Sequence, residues 1–122
     1  MSRRGKKVGN YTDIFNQILG LDLPCLDIFQ SDGLIKHIQN RHPSCVRYME
    51  SIQEIILYPD YVGSNPNEQN SIELIKIYSE NIQIAVKLDI SENYFYVASL
   101  YDISDKKIEN RLHSGRIKKV IK

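Results

Sequence analysis

An excess of charge of one sign is missing from this chain. Sixteen Lys and Arg oppose fifteen Asp and Glu for a formal net charge of +1, so the overall balance does not announce a polyanion-binding protein, although basic residues can still cluster locally. Long apolar runs are missing too. None approaches the roughly 20 residues that a membrane-spanning helix needs, and "YTDIFNQILG", which follows the basic start, is too polar and too broken for a signal-peptide core. A cytoplasmic protein with no membrane partner is expected. Cysteine is scarce: Cys25 and Cys45 match no zinc spacing, because neither CxxC nor a second cysteine pair is present. Structural thiols are the first reading, with a disulfide or a reactive thiol as the alternatives. A Gly-rich phosphate loop, a GxSxG elbow and a paired-carboxylate signature are all absent, which disfavours carboxylate-metal nuclease chemistry. No metal and no cofactor are expected.

What is present fits one domain. The 122 residues, 42% hydrophobic and 25% charged, have room for a single core. Residues 1–10 read as a flexible basic arm, since four cations and two glycines offer little to bury. Residues 11–122 form the domain. Ile14, Phe15, Ile18 and Leu19 make a helical stripe ended by Gly20. A second helix begins near Ser31 or Asp32 and buries Leu34, Ile35 and Ile38, and Pro43 stops it and opens a third that ends near Leu57. "PDYVGSNPNEQN" is dense in turn residues and reads as a shaped loop. The period then changes to alternation in "SIELIKIYS", "IQIAVKLDI" and "YFYVASLYDI", three strands joined closely enough for an antiparallel meander. A helix starting at Ser104 and closed by Gly115 completes an α+β domain.

Hairpin geometry sorts the polar residues of these strands. A turn at Ser91, Glu92 and Asn93 sets Ala85 opposite Ser99 and Lys87 opposite Val97, and a two-residue turn at Glu80 and Asn81 sets Lys76 opposite Ala85. Lys76, Lys87, Ser99 and Tyr101 then share one face, while Ile75, Ile77, Ile82, Ile84, Val86 and Leu88 fill the other. Such a polar face is either a solvated half of the sheet or a cationic, hydroxyl-bearing surface for an oxyanion such as phosphate. One slip in register removes Lys76 from the group.

His37 and His42 lie in "HIQNRHP". Five residues apart, they diverge on a continuous helix, unlike the pair in an HExxH zinc site. Acid-base work, phosphate contact and plain surface or capping roles stay open for both. His37 shares a helix face with Arg41. "RLHSGRIKK" forms the strongest local basic cluster, with Arg111, His113, Arg116, Lys118 and Lys119.

The series "SDGLIKHIQNRHP", "PDYVGSNPNE", "SIELIKI", "AVKLD", "YFYVASLYDIS" and "RLHSGRIKK", over about residues 27–119, resembles the phage-associated Barnase, EndoU, colicin and RelE-like nuclease family in its third named subgroup. The resemblance implies N-terminal helices packed on a small antiparallel sheet, with a C-terminal helix, and a metal-independent ribonuclease activity. It matches the family's histidines to His37 and His42, its strand lysines to Lys76 and Lys87, its strand hydroxyl to Ser99 followed by Tyr101, and its terminal pattern to Ser114–Arg116. By that resemblance His37, His42, Lys87 and Ser99 are catalytic, and Lys76, Tyr101 and Arg116 contact nucleic acid; Arg41, on the helix face of His37, and Arg111, in the basic cluster, are expected to contact it as well. RNA is the implied partner, together with an immunity or antitoxin protein if the domain acts as a toxin. The competing expectations are a non-catalytic module that binds nucleic acid or protein through the same face, and a structural partner from a mobile element.

Overall fold

The computed structural model describes residues 4–121. Seven strands form one sheet: β1 (Lys6–Asn10), β2 (Asp27–Gln30), β3 (Tyr61–Gly63), β4 (Ser71–Ile77), β5 (Asn81–Asp89), β6 (Tyr94–Ile103) and β7 (Ile117–Lys119). Between them lie α1 (Asp13–Leu19), α2 (Leu34–Arg41), a 3-10 segment over Pro43–Ser51, α3 (Ile52–Leu57) and α4 (Asp105–Ser114). Spatially the strands run β1-β2-β6-β5-β4-β3-β7.

The α+β class, the central meander and the helix boundaries at Gly20, Leu57, Ser104 and Gly115 agree with the sequence reading, and the flanks of the sheet correct it. The chain enters on a strand rather than on helices, and the sheet is mixed, because β2 runs parallel to β6. Residues 6–10 of the expected arm pair with β2 as an edge strand and bury Val8, whereas residues 1–3 lie outside the described residues. Three residues inside the expected loop, Tyr61–Gly63, form β3. Neither β3 nor β7 shows an alternation long enough to read, since each is three residues long and is held by its neighbours.

α1 ends where Gly20 takes a left-handed turn at φ 68°, which glycine adopts without strain. Pro43 opens the 3-10 segment just after α2, and α2 buries Leu34 and Ile38 while leaving Ile35 exposed. On one side of the sheet these elements cover Ile72, Leu74, Ile82, Ile84, Val86, Phe95, Val97 and Leu100, all in one buried cluster. Each such aliphatic or aromatic side chain contributes roughly 1.5–3 kcal/mol on burial. On the other side α4 covers only one end, through a second small cluster of Ile75, Ile103, Ile108 and Ile117. The remainder of that face holds polar and aromatic residues, Glu73, Gln83, Lys87, Ser99 and Tyr96 among them.

The register of β4 on β5 decides which residues those are. Ile77 pairs with Asn81 around a turn at residues 78–80, so Lys76 opposes Ile82 and Ala85 opposes Glu73. The expected pairing of Lys76 with Ala85 is off by three residues. An odd shift moves every side chain of β4 to the other face. Ile75 therefore joins the small cluster under α4, Ile77 is exposed, and Lys76 turns to the helical side, where its Nζ donates to the Tyr58 carbonyl at 2.8 Å. Tyr78 accounts for the longer turn: its hydroxyl donates to Glu54 at 2.6 Å and its ring packs beside Tyr48, anchoring it to the helices.

Candidate active site

A cleft of about 210 Å³ opens on the half of the sheet that α4 leaves bare, lined by Glu68, Glu73, Lys87, Ala98, Ser99 and Tyr101 among others. Lys87 comes from β5, Ser99 and Tyr101 from β6, and Glu73 from β4. A bulge makes this grouping. Ala85 pairs with Ser99 but Val86 with Val97, so Ala98 is an extra residue in β6. Val97 and Ser99 would otherwise share a face. The bulge sends Val97 into the core and Ser99, with Tyr101, to the cleft, and it sets Lys87 opposite Tyr96 instead of Val97.

The floor of the cleft is a buried polar network. Glu73 is 4% exposed and Gln83 fully buried. Arg116 donates to Glu73 twice, Nε to Oε1 at 2.9 Å and Nη2 to Oε2 at 2.7 Å, and Gln83 Nε2 adds a third bond at 3.2 Å. Arg111 donates to the Gln83 carbonyl at 2.6 Å, and Gln83 also donates to the Tyr101 hydroxyl. Hydrogen bonding to the carboxylate holds the Arg116 guanidinium above its ordinary pKa. Burial, with the Glu73 charge beside it, raises the Tyr101 phenol. Arg116 reaches Glu73 because β7 lies close against β3: a Cβ on Gly63 would sit 2.7 Å from the Arg116 carbonyl oxygen.

At the rim, Lys87 Nζ lies 3.1 Å from a Glu68 carboxylate oxygen, with about a third of its side chain exposed. β2 pairs with β6 only through Phe95 and Tyr96, so helical elements flank the rest of that side of β6. His42, at the end of α2, reaches round this edge and sets its ring 5.3 Å from that of Tyr101. His37, exposed on α2, borders a recess with Tyr96, Val97 and Ala98. Ala98 separates that recess from the cleft.

A model of the family described as phage-Barnase-EndoU-ColicinE5/D-RelE like nuclease3 matches residues 6–110. The chain belongs to this family. No curated protein and no solved structure matches it. As a member of this nuclease-like family, the chain has the α+β fold described above, and the match starts earlier than the resemblance over residues 27–119, taking in β1 and α1. It also stops before Arg111, so the network's two arginines and the Ser114–Arg116 segment lie beyond it.

The structure thus brings His42, Lys87, Ser99, Tyr101, Arg111 and Arg116 to one region, with His37 at its border. It does not bring Lys76, which lies on the helical side, or Arg41, which is exposed on α2. Sequence reasoning missed Glu73, Gln83 and Glu68. A glutamate inside "SIELIKI" and a glutamine inside "IQIAV" carry a readable signal, because polar groups in mid-strand are buried only with partners. Among the described residues no three His, Cys, Asp or Glu side chains gather in a way that could hold a metal ion, and no helix is long and apolar enough to cross a membrane. Cys25 is exposed and Cys45 buried, both as free thiols.

Proposed function

We propose that this protein is an endoribonuclease that cleaves RNA without a metal, by attack of a ribose 2′-hydroxyl on the adjacent phosphorus. The observation that carries the reading is the convergence of Lys87, Ser99 and the His42–Tyr101 pair at a cleft whose floor is already neutralised. His42, beside the cleft, and His37, at the other side of Ala98, divide the proton transfers: one takes the 2′-hydroxyl proton as the 2′-oxygen bonds to phosphorus, and the other protonates the 5′-oxygen as its bond to phosphorus breaks. Lys87 leaves Glu68 for a phosphate oxygen, and with the Ser99 hydroxyl it stabilises the charge that builds on phosphorus. Arg116 is committed to Glu73, so it positions the floor instead of binding phosphate, and Arg111 does the same through Gln83. The nucleophile belongs to RNA, and DNA is not a substrate on this route.

The test incubates the purified protein with labelled single-stranded RNA and a matching DNA in EDTA, beside His42→Ala and Lys87→Ala. RNA-only cleavage that leaves cyclic phosphate ends and falls in both variants supports the reading. Binding of RNA without cleavage, by protein shown to be folded, replaces it with a non-catalytic binding module.

A further inference from the structure

One row of side chains crosses the sheet from the cleft to the β1 edge. Lys87 on β5 opposes Tyr96 on β6, Tyr96 opposes Phe29 on β2, and Phe29 opposes Lys7 on β1. Directly opposed residues project from the same face of a sheet. The row therefore lies on the cleft face and reads cation, aromatic, aromatic, cation. Independent contacts agree. Phe29 meets Tyr94 edge-on, ring centroids 5.4 Å apart, and Lys7 pairs with Asp27 at 3.2 Å; Tyr94 and Asp27 each stand two positions from a member of the row. Arg4 lies 5.9 Å from the Phe29 ring centroid.

α4 packs at the other end of this face, over Ile75, Ile103 and Ile117, and leaves the row uncovered. Phe29 and Tyr96 are half-buried, and Lys7 is exposed. Neighbouring strands are about 4.8 Å apart, so the three steps from Lys87 to Lys7 span roughly 14 Å. Two aromatic rings fill the interval.

We infer that this row is a track for single-stranded RNA, in which Lys87 holds the cleaved phosphate, Phe29 and Tyr96 stack the two bases next to it, and Lys7 holds the phosphate beyond them. It rests on the ribonuclease reading of the cleft and extends it to substrate length. Aromatic platforms set along a cationic groove are how single strands are held without reading their sequence. The charges along the row are nearly balanced, since Asp27 and Glu68 already pair with Lys7 and Lys87. Stacking, more than charge, therefore supplies the affinity, and the salt dependence is shallow.

The experiment measures fluorescence anisotropy of labelled 2′-O-methyl oligoribonucleotides, which the proposed reaction cannot cut, so binding is read apart from cleavage. The wild type binds a hexanucleotide at least about 10-fold more tightly than a dinucleotide, the gain expected from stacked bases. Phe29→Leu and Tyr96→Leu each remove most of that gain. Lys7→Gln, at an exposed position where folding is not at risk, lowers the slope of log affinity against log salt by about 0.7. Equal affinity for both lengths, or a gain that survives in all three variants, overturns the track. If unmodified RNA is cleaved but length brings no affinity, the ribonuclease reading stands and the track falls. If length-dependent binding is lost in the variants and no RNA is ever cleaved, the track stands and the ribonuclease reading falls. Failure of both overturns both and leaves the row to a protein partner.

Discussion

Arg116 holds Glu73 through two bonds, 2.9 and 2.7 Å, and so ties the turn that enters β7 to the middle of β4. Glu73 is almost wholly buried, and about a quarter of the Arg116 side chain is exposed. Removing one partner strands a charge, whereas removing both does not. Arg116→Met should therefore destabilise the fold by about 3 kcal/mol, the lower part of the range for breaking a buried pair. The double variant Glu73→Gln, Arg116→Met should recover part of that loss. Urea unfolding of the single and double variants reads the coupling directly, and additive losses would show that the pair contributes nothing of its own.

The same contact depends on a backbone approach. Gly63 faces Ile117 across the β3–β7 ladder, and a methyl group there meets the Arg116 carbonyl oxygen. Gly63→Ala should cost about 1–3 kcal/mol through overpacking. Hydrogen exchange should show the loss concentrated in β7 amides, because the atoms nearest this methyl belong to Arg116 and Ile117. Uniform loss of protection across β4–β6 would count against the account.

Much of this arrangement was legible and part was not, for reasons that differ by element. β5 alternates without interruption, so Ile82, Ile84, Val86 and Leu88 on one side and Gln83, Ala85 and Lys87 on the other could be read directly. In β4, Leu74 and Ile75 are adjacent and both apolar, because Ile75 has its own small core under α4; alternation then could not choose the face, and turn length decided it. Lys76 was lost from the group for that reason. Ser99 was placed on the face with Lys87, but through an unbroken ladder; the bulge at Ala98 that puts it there leaves no mark in "VASLY". The link between His42 and Tyr101 arises from a helix end curling round the short β2 pairing, a tertiary fact that no local pattern encodes.

Alkaline pH should reveal the buried phenols. Burial, then the bond to Glu54, pushes Tyr78 up to about 12, and burial also raises Tyr11 and Tyr101. An unfolded tyrosine loses its proton near pH 10. Because the folded pKa values are raised, the stability from these groups is complete below about pH 10 and falls as pH rises through the folded values, about 12 for Tyr78. Thermal melts between neutral and strongly alkaline pH should hold steady and then decline, and Tyr78→Phe should flatten the decline. A decline that begins near neutrality would point to other groups.

The two strand lysines offer the sharpest division of the face. Lys87 lines the cleft beside Ser99, whereas Lys76 donates to the Tyr58 carbonyl on the helical side. If the cleft cleaves RNA, Lys87→Ala should lower kcat/KM about 10²–10³-fold, the usual effect of losing a group that stabilises developing charge. His42→Ala should fall in the 10²–10⁴-fold range of a lost acid-base group and should also remove one limb of the pH-rate profile. Lys76→Ala should leave cleavage within a few fold of wild type and cost about 1 kcal/mol of stability for its exposed bond to the backbone. Initial-rate kinetics beside thermal melts on all three variants separate the cases. Equal losses in Lys76→Ala and Lys87→Ala would mean that RNA is not held on the cleft face, and would send the search for the reacting site to the helical side of the sheet.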